Sequence, residues 1–198
     1  MQVHTRHTPA FGVARVILGP GEAVQAPGES MVASSFGLTE VAGGRRSPSV
    51  FTAPAEGGWL DLAPSVAGDV YALEFDGRTG WCVARHAVFA RPASVRADSW
   101  PGLRTMFGAE GTSQGFLEHY SGTGPLVLAC AGPVDQFHLA AGELISVHPG
   151  HVLAYPDTVQ CRLRAVDPSA QQSIRTGAGL MLDFAGPGTL LVQARKSR

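Results

Sequence analysis

Apolar and polar residues alternate in three similar stretches of the chain, and a turn interrupts each stretch. The stretches are VILGPGEAVQAPGESMVA (16–33), LEFDGRTGWCVARHAVFA (73–90) and FHLAAGELISVHPGHVLA (137–154). Alternation with a period of two is typical of half-buried strands, and segments rich in Gly and Pro are typical of turns. The stretches align without gaps and end on Met-Val-Ala, Val-Phe-Ala and Val-Leu-Ala. The pattern therefore predicts one strand-turn-strand unit that occurs three times.

A second apolar element accompanies each stretch. It reads VFTAPAEGGWLDLA (50–63), HYSGTGPLVLACA (119–131) and DFAGPGTLLVQAR (183–195). Each copy has an aromatic residue, then a Gly-containing turn, then a short apolar segment, which is typical of a hairpin. Helical periodicity is nearly absent from the chain.

These patterns predict one all-β domain over residues 14–195, preceded by an N-terminal tail at 1–13. A repeat of about 60 residues cannot bury its own apolar face, whereas three together can enclose one core. We therefore expect a double-stranded β-helix or a barrel-like sandwich with pseudo-threefold internal symmetry. The repeats run approximately over residues 14–70, 71–134 and 135–195.

Several segments together resemble a known family. LGPGEAVQAPGESMVA, VAGDVYALEF, AAGELISVHPGHVLAY and FAGPGTLLVQAR occur in family-like order and spacing. The chain resembles the bacterial and archaeal family related to the mitochondrial biogenesis protein of the "altered inheritance of mitochondria" type. The resemblance implies a fold similar to the tryptophan RNA-binding attenuation protein, a tendency to oligomerise and no known reaction. In the mitochondrial relative, the implied role is organisational and tied to the inner membrane.

One loop departs from the family pattern. TEVAGGRRSPSVF (39–51) is short where many relatives carry a long Gly-rich apolar loop. A function that relatives carry on this loop is therefore not expected here.

Charge is sparse and nearly balanced. The 198 residues hold 15 Lys+Arg against 16 Asp+Glu, and charged residues make up only 16%. Such a balance argues against a strong electrostatic grip on nucleic acid or on an anionic membrane. Small basic clusters occur only at Arg45-Arg46 and at Arg195, Lys196 and Arg198. A surface with so little charge indicates coverage by small polar residues or by another subunit.

The cysteines and the N-terminus indicate a cytoplasmic protein. Cys82, Cys130 and Cys161 lie in apolar, strand-like runs without a CxxC motif, which is typical of buried reduced thiols. The N-terminal MQVHTRHTPAFG has no apolar segment of the kind that signal peptides contain, and no apolar run of about 20 residues occurs.

Three turn histidines are the candidates for a metal site. His148 and His151 flank a Pro-Gly turn, and His86 lies one residue from the position that aligns with His148. A zinc or iron site needs at least three protein ligands, and the HxxH spacing across a turn directs the two rings apart. No Glu follows nearby, and Asp157 is the nearest acid. We therefore expect solvent-exposed turn histidines and no bound metal.

No other motif predicts catalysis. Glu22 and Glu143 occupy equivalent turns, which symmetry would hold too far apart for paired acid and base chemistry. GxSxG and a P-loop are absent, and the GxG runs lie between strands rather than before a helix. We predict no catalytic residue and no cofactor.

The stretch SWPGLRTMFGAEG (99–111) is the one segment with helical spacing. Its apolar residues recur at intervals of three and four after Pro101, which suits the first turn of a helix. The helix could form a lid over the end of the β core, or an apolar surface for another subunit or a membrane interface. The candidate interaction residues are Trp100, Leu103, Met106 and Phe107.

Two functions remain open on these grounds. The first is a non-enzymatic scaffold or protein-interaction module of the bacterial cytoplasm that forms a homo-oligomer. The second is a barrel that binds a small molecule or a metal, or acts as an enzyme, through the histidine turns. Convergence of His86, His148 and His151 on one point would favour the second.

Overall fold

β-Strands provide almost all of the regular structure in the computed structural model of the chain, which describes residues 1–44, 47–108 and 115–196. The strands are β1 Gln2–Arg6, β2 Val13–Leu18, β3 Ala23–Ala26, β4 Met31–Ser34, β5 Thr39–Val41, β6 Ser49–Thr52, β7 Gly58–Leu62, β8 Asp69–Asp76, β9 Trp81–Ala84, β10 Val88–Pro92, β11 Val95–Asp98, β12 Leu117–Cys130, β13 Val134–Leu139, β14 Leu144–Val147, β15 Val152–Pro156, β16 Gln160–Ala165, β17 Leu180–Ala185 and β18 Gly188–Gln193. One α-helix, α1 (Pro101–Phe107), lies between β11 and β12. The predicted all-β class is confirmed. The sheets formed by the described residues are antiparallel, and none closes on itself.

The chain divides into two compact units whose boundaries do not follow the three predicted segments. The first unit comprises Met1–Asp76, Val88–Arg96 and Gly122–Pro133, and the second comprises Gly77–Ala87, Ala97–Ser121 and Val134–Arg198. The long strand β12 supplies residues to both. A local sequence pattern does not reveal such a division, because it depends on which strands pair across long chain separations.

The first unit contains a four-stranded sheet in the order β1-β2-β7-β4. Its other strands follow the order β12-β10-β3-β6-β5, with β8 also paired to β12 along Thr123–Cys130. Alternating residues of these strands face inward and are fully buried, which the period-two pattern predicted. The core includes Val16, Leu18, Val24, Phe51, Leu60, Leu62 and Val127.

The N-terminal residues differ from the predicted tail. Gln2–Arg6 forms β1, which pairs antiparallel with β2 from Gln2 opposite Ile17 to Arg6 opposite Val13. Four of its five residues are exposed. The segment QVHTR lacks apolar alternation, so its strand structure comes from the hydrogen bonds that β2 offers at its edge.

The second unit contains strands in the order β13-β18-β15-β9-β12 and a three-stranded sheet in the order β14-β17-β16. Tyr155 of β15 and Phe184 of β17 are fully buried and meet edge to face, with ring centroids 5.0 Å apart. Contacts of this kind between large apolar side chains hold the unit together.

The three predicted turns have the same local structure. Each is a 3₁₀ helix at the same position of its aligned stretch, namely Gly28–Ser30, Arg85–Ala87 and Pro149–His151. The strand that follows each of them, β4, β10 or β15, shows a register shift between its first and third residues. Such a shift is the mark of a β-bulge, which bends a strand locally.

Candidate functional site

The predicted histidines lie in the second unit, around a buried glutamine. The Gln193 side chain donates to the Gly150 carbonyl at 3.0 Å, and its Nε2 lies 3.4 Å from Nε2 of His86. The Gln193 carbonyl lies 3.0 Å from Nδ1 of His151. The structure thus brings His86 and His151 to the same buried residue, which the alignment of the turns suggested.

Nδ1 of His148 and Nδ1 of His151 are each engaged by a backbone atom. Nδ1 of His148 accepts a hydrogen bond from Gly150 N at 3.1 Å, as expected for a residue that caps a turn. The rings of His148 and His151 stand perpendicular with centroids 6.2 Å apart. Desolvation lowers the pKa of His148, and the nearby charge of Lys196 lowers it further. In the described part of the chain, no three His, Cys, Asp or Glu side chains are placed to hold a metal ion.

The predicted helix is present at Pro101–Phe107, with Pro101 in its first turn and Gly108 in the left-handed conformation at its end. Leu103 and Phe107 are each only 8% exposed, and Phe107 packs edge to face on Phe116. Trp100 and Met106 are half-buried. Residues 109–111 of the predicted stretch lie outside the described residues. Because two of the four side chains face the unit, the segment offers limited apolar surface, and its role as an interface stays a prediction.

A histidine that the sequence analysis did not select lies between two carboxylates. Adjacent strands β9, β12 and β15 place Cys82 opposite both His119 and Tyr155, and Asp157 directly follows β15. His119 Nδ1 contacts Asp98 Oδ1, and its Nε2 lies 3.2 Å from Asp157 Oδ2. The His119 side chain is only 6% exposed. We call Asp98, His119 and Asp157 the histidine clamp.

The surroundings of the clamp complete its geometry. The Trp100 ring stacks on His119 with centroids 5.6 Å apart and an interplanar angle of 17°. Gly80 lies so close that a Cβ built there would overlap Nε2 of His119 and come within 2.6 Å of Asp157 Oδ2. Glycine is therefore required at position 80 for the ring to meet Asp157.

Side-chain contacts of the clamp join several strand ends. Ser121 Oγ donates to Asp98 at 2.5 Å instead of to the histidine, so the hydroxyl is not activated as a nucleophile. Both nitrogens of His119 face carboxylates. The ring thereby links β11, β12 and the turn after β15.

One feature of the sequence indicates this cluster. His119 stands beside the aromatic residue of the second repeat element, where the other two copies have Val50 and Asp183. A lone histidine at a strand position that is apolar in another copy is a candidate for a buried, paired ring. Its partners could not be found, because 21 and 38 residues separate them along the chain.

The three cysteines are free thiols. Cys82 and Cys130 are buried as predicted, and Cys161 is half-buried. Desolvation raises the pKa of each thiol to about 12, so each is protonated near neutral pH and a poor nucleophile. The buried Tyr155 hydroxyl lies near Cys82 and Cys161 without a well-aligned hydrogen bond.

Large apolar side chains are exposed at several places in the described chain, among them positions on or beside β4 and β14. In the first unit, Val32 of β4 is 63% exposed, and Phe36, in the loop after β4, is fully exposed. In the second unit, Leu144 of β14 is 75% exposed. Isolated exposed apolar residues are common, but apolar residues on an unpaired strand edge are typical of sites that bind another chain.

Other surfaces give less information. The Arg45-Arg46 cluster lies outside the described residues, as does Arg198 of the C-terminal cluster. No helix in the described residues is both long and apolar enough to cross a membrane.

Comparison with known proteins identifies the family. A family model described as mitochondrial biogenesis AIM24 matches residues 3–195. The crystal structure of protein SPYM3_0169 from Streptococcus pyogenes is similar in fold, with a TM-score of 0.73 at 20% sequence identity. The similarity covers 98% of this chain and 94% of that one. No curated protein sequence matches the chain significantly. The chain belongs to the mitochondrial biogenesis AIM24 family.

Proposed function

We propose that the protein is a non-enzymatic scaffold or protein-interaction module that acts as a homo-oligomer in the bacterial cytoplasm. The observation that carries the proposal is the edge strand β4, MVAS, whose four residues are all exposed and whose first three are apolar. An exposed apolar edge strand is a template for pairing with another chain, and proteins that remain monomeric usually block such edges. The apolar side chain of Phe36 extends the same surface into the following loop.

The proposed architecture is three repeats in a double-stranded β-helix. Support comes from the three 3₁₀ helices at equivalent positions and from the register shift that follows each of them. The pairing is also repeated. β7 joins β2 to β4 in the first copy, β12 joins β8 to β10 in the second, and β18 joins β13 to β15 in the third.

A second candidate is a small-molecule or metal-binding role of the histidine turns. The observation in its favour is that His86 and His151 both lie against Gln193. His148 Nδ1 accepts a hydrogen bond from Gly150 N, and the Gln193 side-chain amide donates to Gly150 O. Because these groups already have hydrogen-bond partners within the chain, the scaffold is the better-supported function. Nucleic acid and membrane surfaces rank below both, since the chain has a net charge of −1.

The test is the mass of the protein in solution, measured by size-exclusion chromatography with light scattering, with metal analysis of the same peak. The protein is purified without chelator. One chain has a mass of 20.7 kDa. We expect an oligomer, a multiple of this mass, without stoichiometric metal. A 20.7 kDa species with one zinc or iron per chain would overturn the scaffold and make His148 and His151 the residues to substitute.

A further inference from the structure

Two edge strands of the described chain differ from all the others in charge. β4, with the sequence MVAS, ends the sheet of the first unit beside β7, and β14, with the sequence LISV, ends a sheet of the second unit beside β17. Neither contains a charged residue or a proline. Every other edge strand in the described residues carries at least one charge, as in QVHTR of β1, TEV of β5, VDQFHL of β13 and QCRLRA of β16.

Charge on an edge strand prevents pairing with another chain, because such pairing would bury the charge or place it against the partner's side chains. The pattern therefore indicates that most edges of this protein are blocked and that β4 and β14 are left open. The two open edges need partners, and the pairing of equivalent strands shows which partner fits.

The equivalent strands are paired inside each unit. In the three aligned stretches, the strands that follow the 3₁₀ helix are β4, β10 and β15, and the strands that precede it are β3, β9 and β14. In the first unit β10 pairs with β3, with Arg91 opposite Gln25. In the second unit β15 pairs with β9, with Tyr155 opposite Cys82. The remaining combination of the same kind is β4 with β14.

Burial shows that this combination lacks its cover. Ala90 and Ala154, the third residues of β10 and β15, are at most 1% exposed, whereas the equivalent Ala33 of β4 is exposed. The second residues of the strands differ in the same way: Leu153 of β15 is fully buried, whereas Val32 of β4 is 63% exposed. The sequence thus keeps apolar residues at positions that are buried only where the strand pairs.

We infer that β4 of one copy pairs antiparallel with β14 of a second copy of this chain. Transfer of the register from the two observed pairs places Ala33 opposite Val147 and Ser34 opposite Ser146. The inference rests on the proposed homo-oligomer and names its contact surface. Because the two strands are different surfaces, the contact is heterologous, and the two end copies of an open assembly keep one free β4 and one free β14 until the assembly closes into a ring.

Disulfide trapping between different copies tests this pairing. Full-length Ser34→Cys and Ser146→Cys chains with different tags are co-expressed and treated with a mild oxidant. Directly opposite residues of an antiparallel pair have Cβ atoms about 4.5–5.5 Å apart, close enough for a disulfide to form with small adjustments. The native thiols are poor competitors, since burial raises the pKa of each to about 12.

The matched control replaces Ser146→Cys by Ser169→Cys, which lies in an exposed loop of the second unit. We expect a covalent dimer carrying both tags from the Ser34→Cys and Ser146→Cys pair, at least tenfold above the yield with Ser169→Cys. Circular dichroism confirms that each variant is folded.

Three results would overturn the inference in different ways. An oligomeric protein whose mixed-tag dimer does not exceed the control leaves the homo-oligomer in place and shows that β4 and β14 are not its contact. A monomeric protein removes both the oligomer and the contact. A further sample is one chain that carries both Ser34→Cys and Ser146→Cys. If its disulfide forms within the chain, and the two differently tagged single variants give no mixed dimer, the strands are not joined between copies.

Discussion

Replacement of His119 by alanine removes the centre of the histidine clamp. The substitution deletes the ring that lies between Asp98 and Asp157 and on which Trp100 stacks. It leaves both carboxylates without the ring that they contact. If the clamp is structural, His119→Ala lowers the stability of the protein.

The size of the effect follows from the contacts. A hydrogen bond to a charged group contributes about 1.5–3 kcal/mol, and the lower end applies because the Asp98 side chain is 42% exposed. One such bond, which the ring donates in either tautomer, and an aromatic stack of about 0.5–1 kcal/mol predict a loss of about 2–2.5 kcal/mol. For a chain of this length the loss corresponds to a decrease in Tm of about 4–10 °C.

Differential scanning calorimetry of the wild type, His119→Ala and His138→Ala measures this decrease. His138 is an exposed histidine with one hydrogen bond to Thr189, so its substitution should cost less than about 1 kcal/mol. A His119→Ala protein that unfolds at the same temperature as His138→Ala would refute the structural role of the clamp.

Three further substitutions test other contacts. Gly80→Ala places a methyl group in the contact of His119 with its carboxylate and should cost about 1–3 kcal/mol, so an unchanged Tm would contradict the geometry. Asp61→Asn weakens the ion pair with Arg15 and should cost about 1–2 kcal/mol at pH 7. The Arg15 guanidinium lowers the pKa of Asp61 below its usual 3.8. The contribution of the ion pair to stability is therefore present above about pH 5 and is lost as the pH falls through the folded-state pKa. Urea unfolding that shows the same difference in stability between the wild type and Asp61→Asn at pH 7 and at pH 2 would contradict this explanation. Leu103→Ala empties a buried site under α1 and should cost about 2–3 kcal/mol, whereas a cost below about 0.5 kcal/mol would show that the helix is not packed.

The elements with local causes were predictable from the sequence. The turns at Gly28–Ser30 and Pro149–His151 followed from Pro and Gly between alternating segments, whereas the turn at Arg85–Ala87 contains neither and followed from its alignment with the other two; each is a 3₁₀ helix. The helix followed from Pro101 at its start and from Leu103 and Phe107, which are spaced by one turn and are both buried. In these places the residues that determine the structure are neighbours in the chain.

The elements that depend on distant partners were not predictable. β1 forms because β2 offers an open edge, and nothing in QVHTR itself favours a strand. The clamp joins three residues through the alignment of β9, β12 and β15, and this register is a property of the fold. In the sequence alone, Asp98 and Asp157 look like ordinary acidic loop residues, because only the folded strands place them beside His119.

The light-scattering mass of the Val32→Lys variant tests the account most directly. Lysine in the middle of β4 blocks the edge that we propose to be the contact between copies, and Val66→Lys places the same charge on an equally exposed valine outside any strand. We expect the wild type and Val66→Lys to be oligomers and Val32→Lys to elute as a folded 20.7 kDa monomer. A Val32→Lys protein with the mass of the wild-type oligomer would show that β4 does not join the copies.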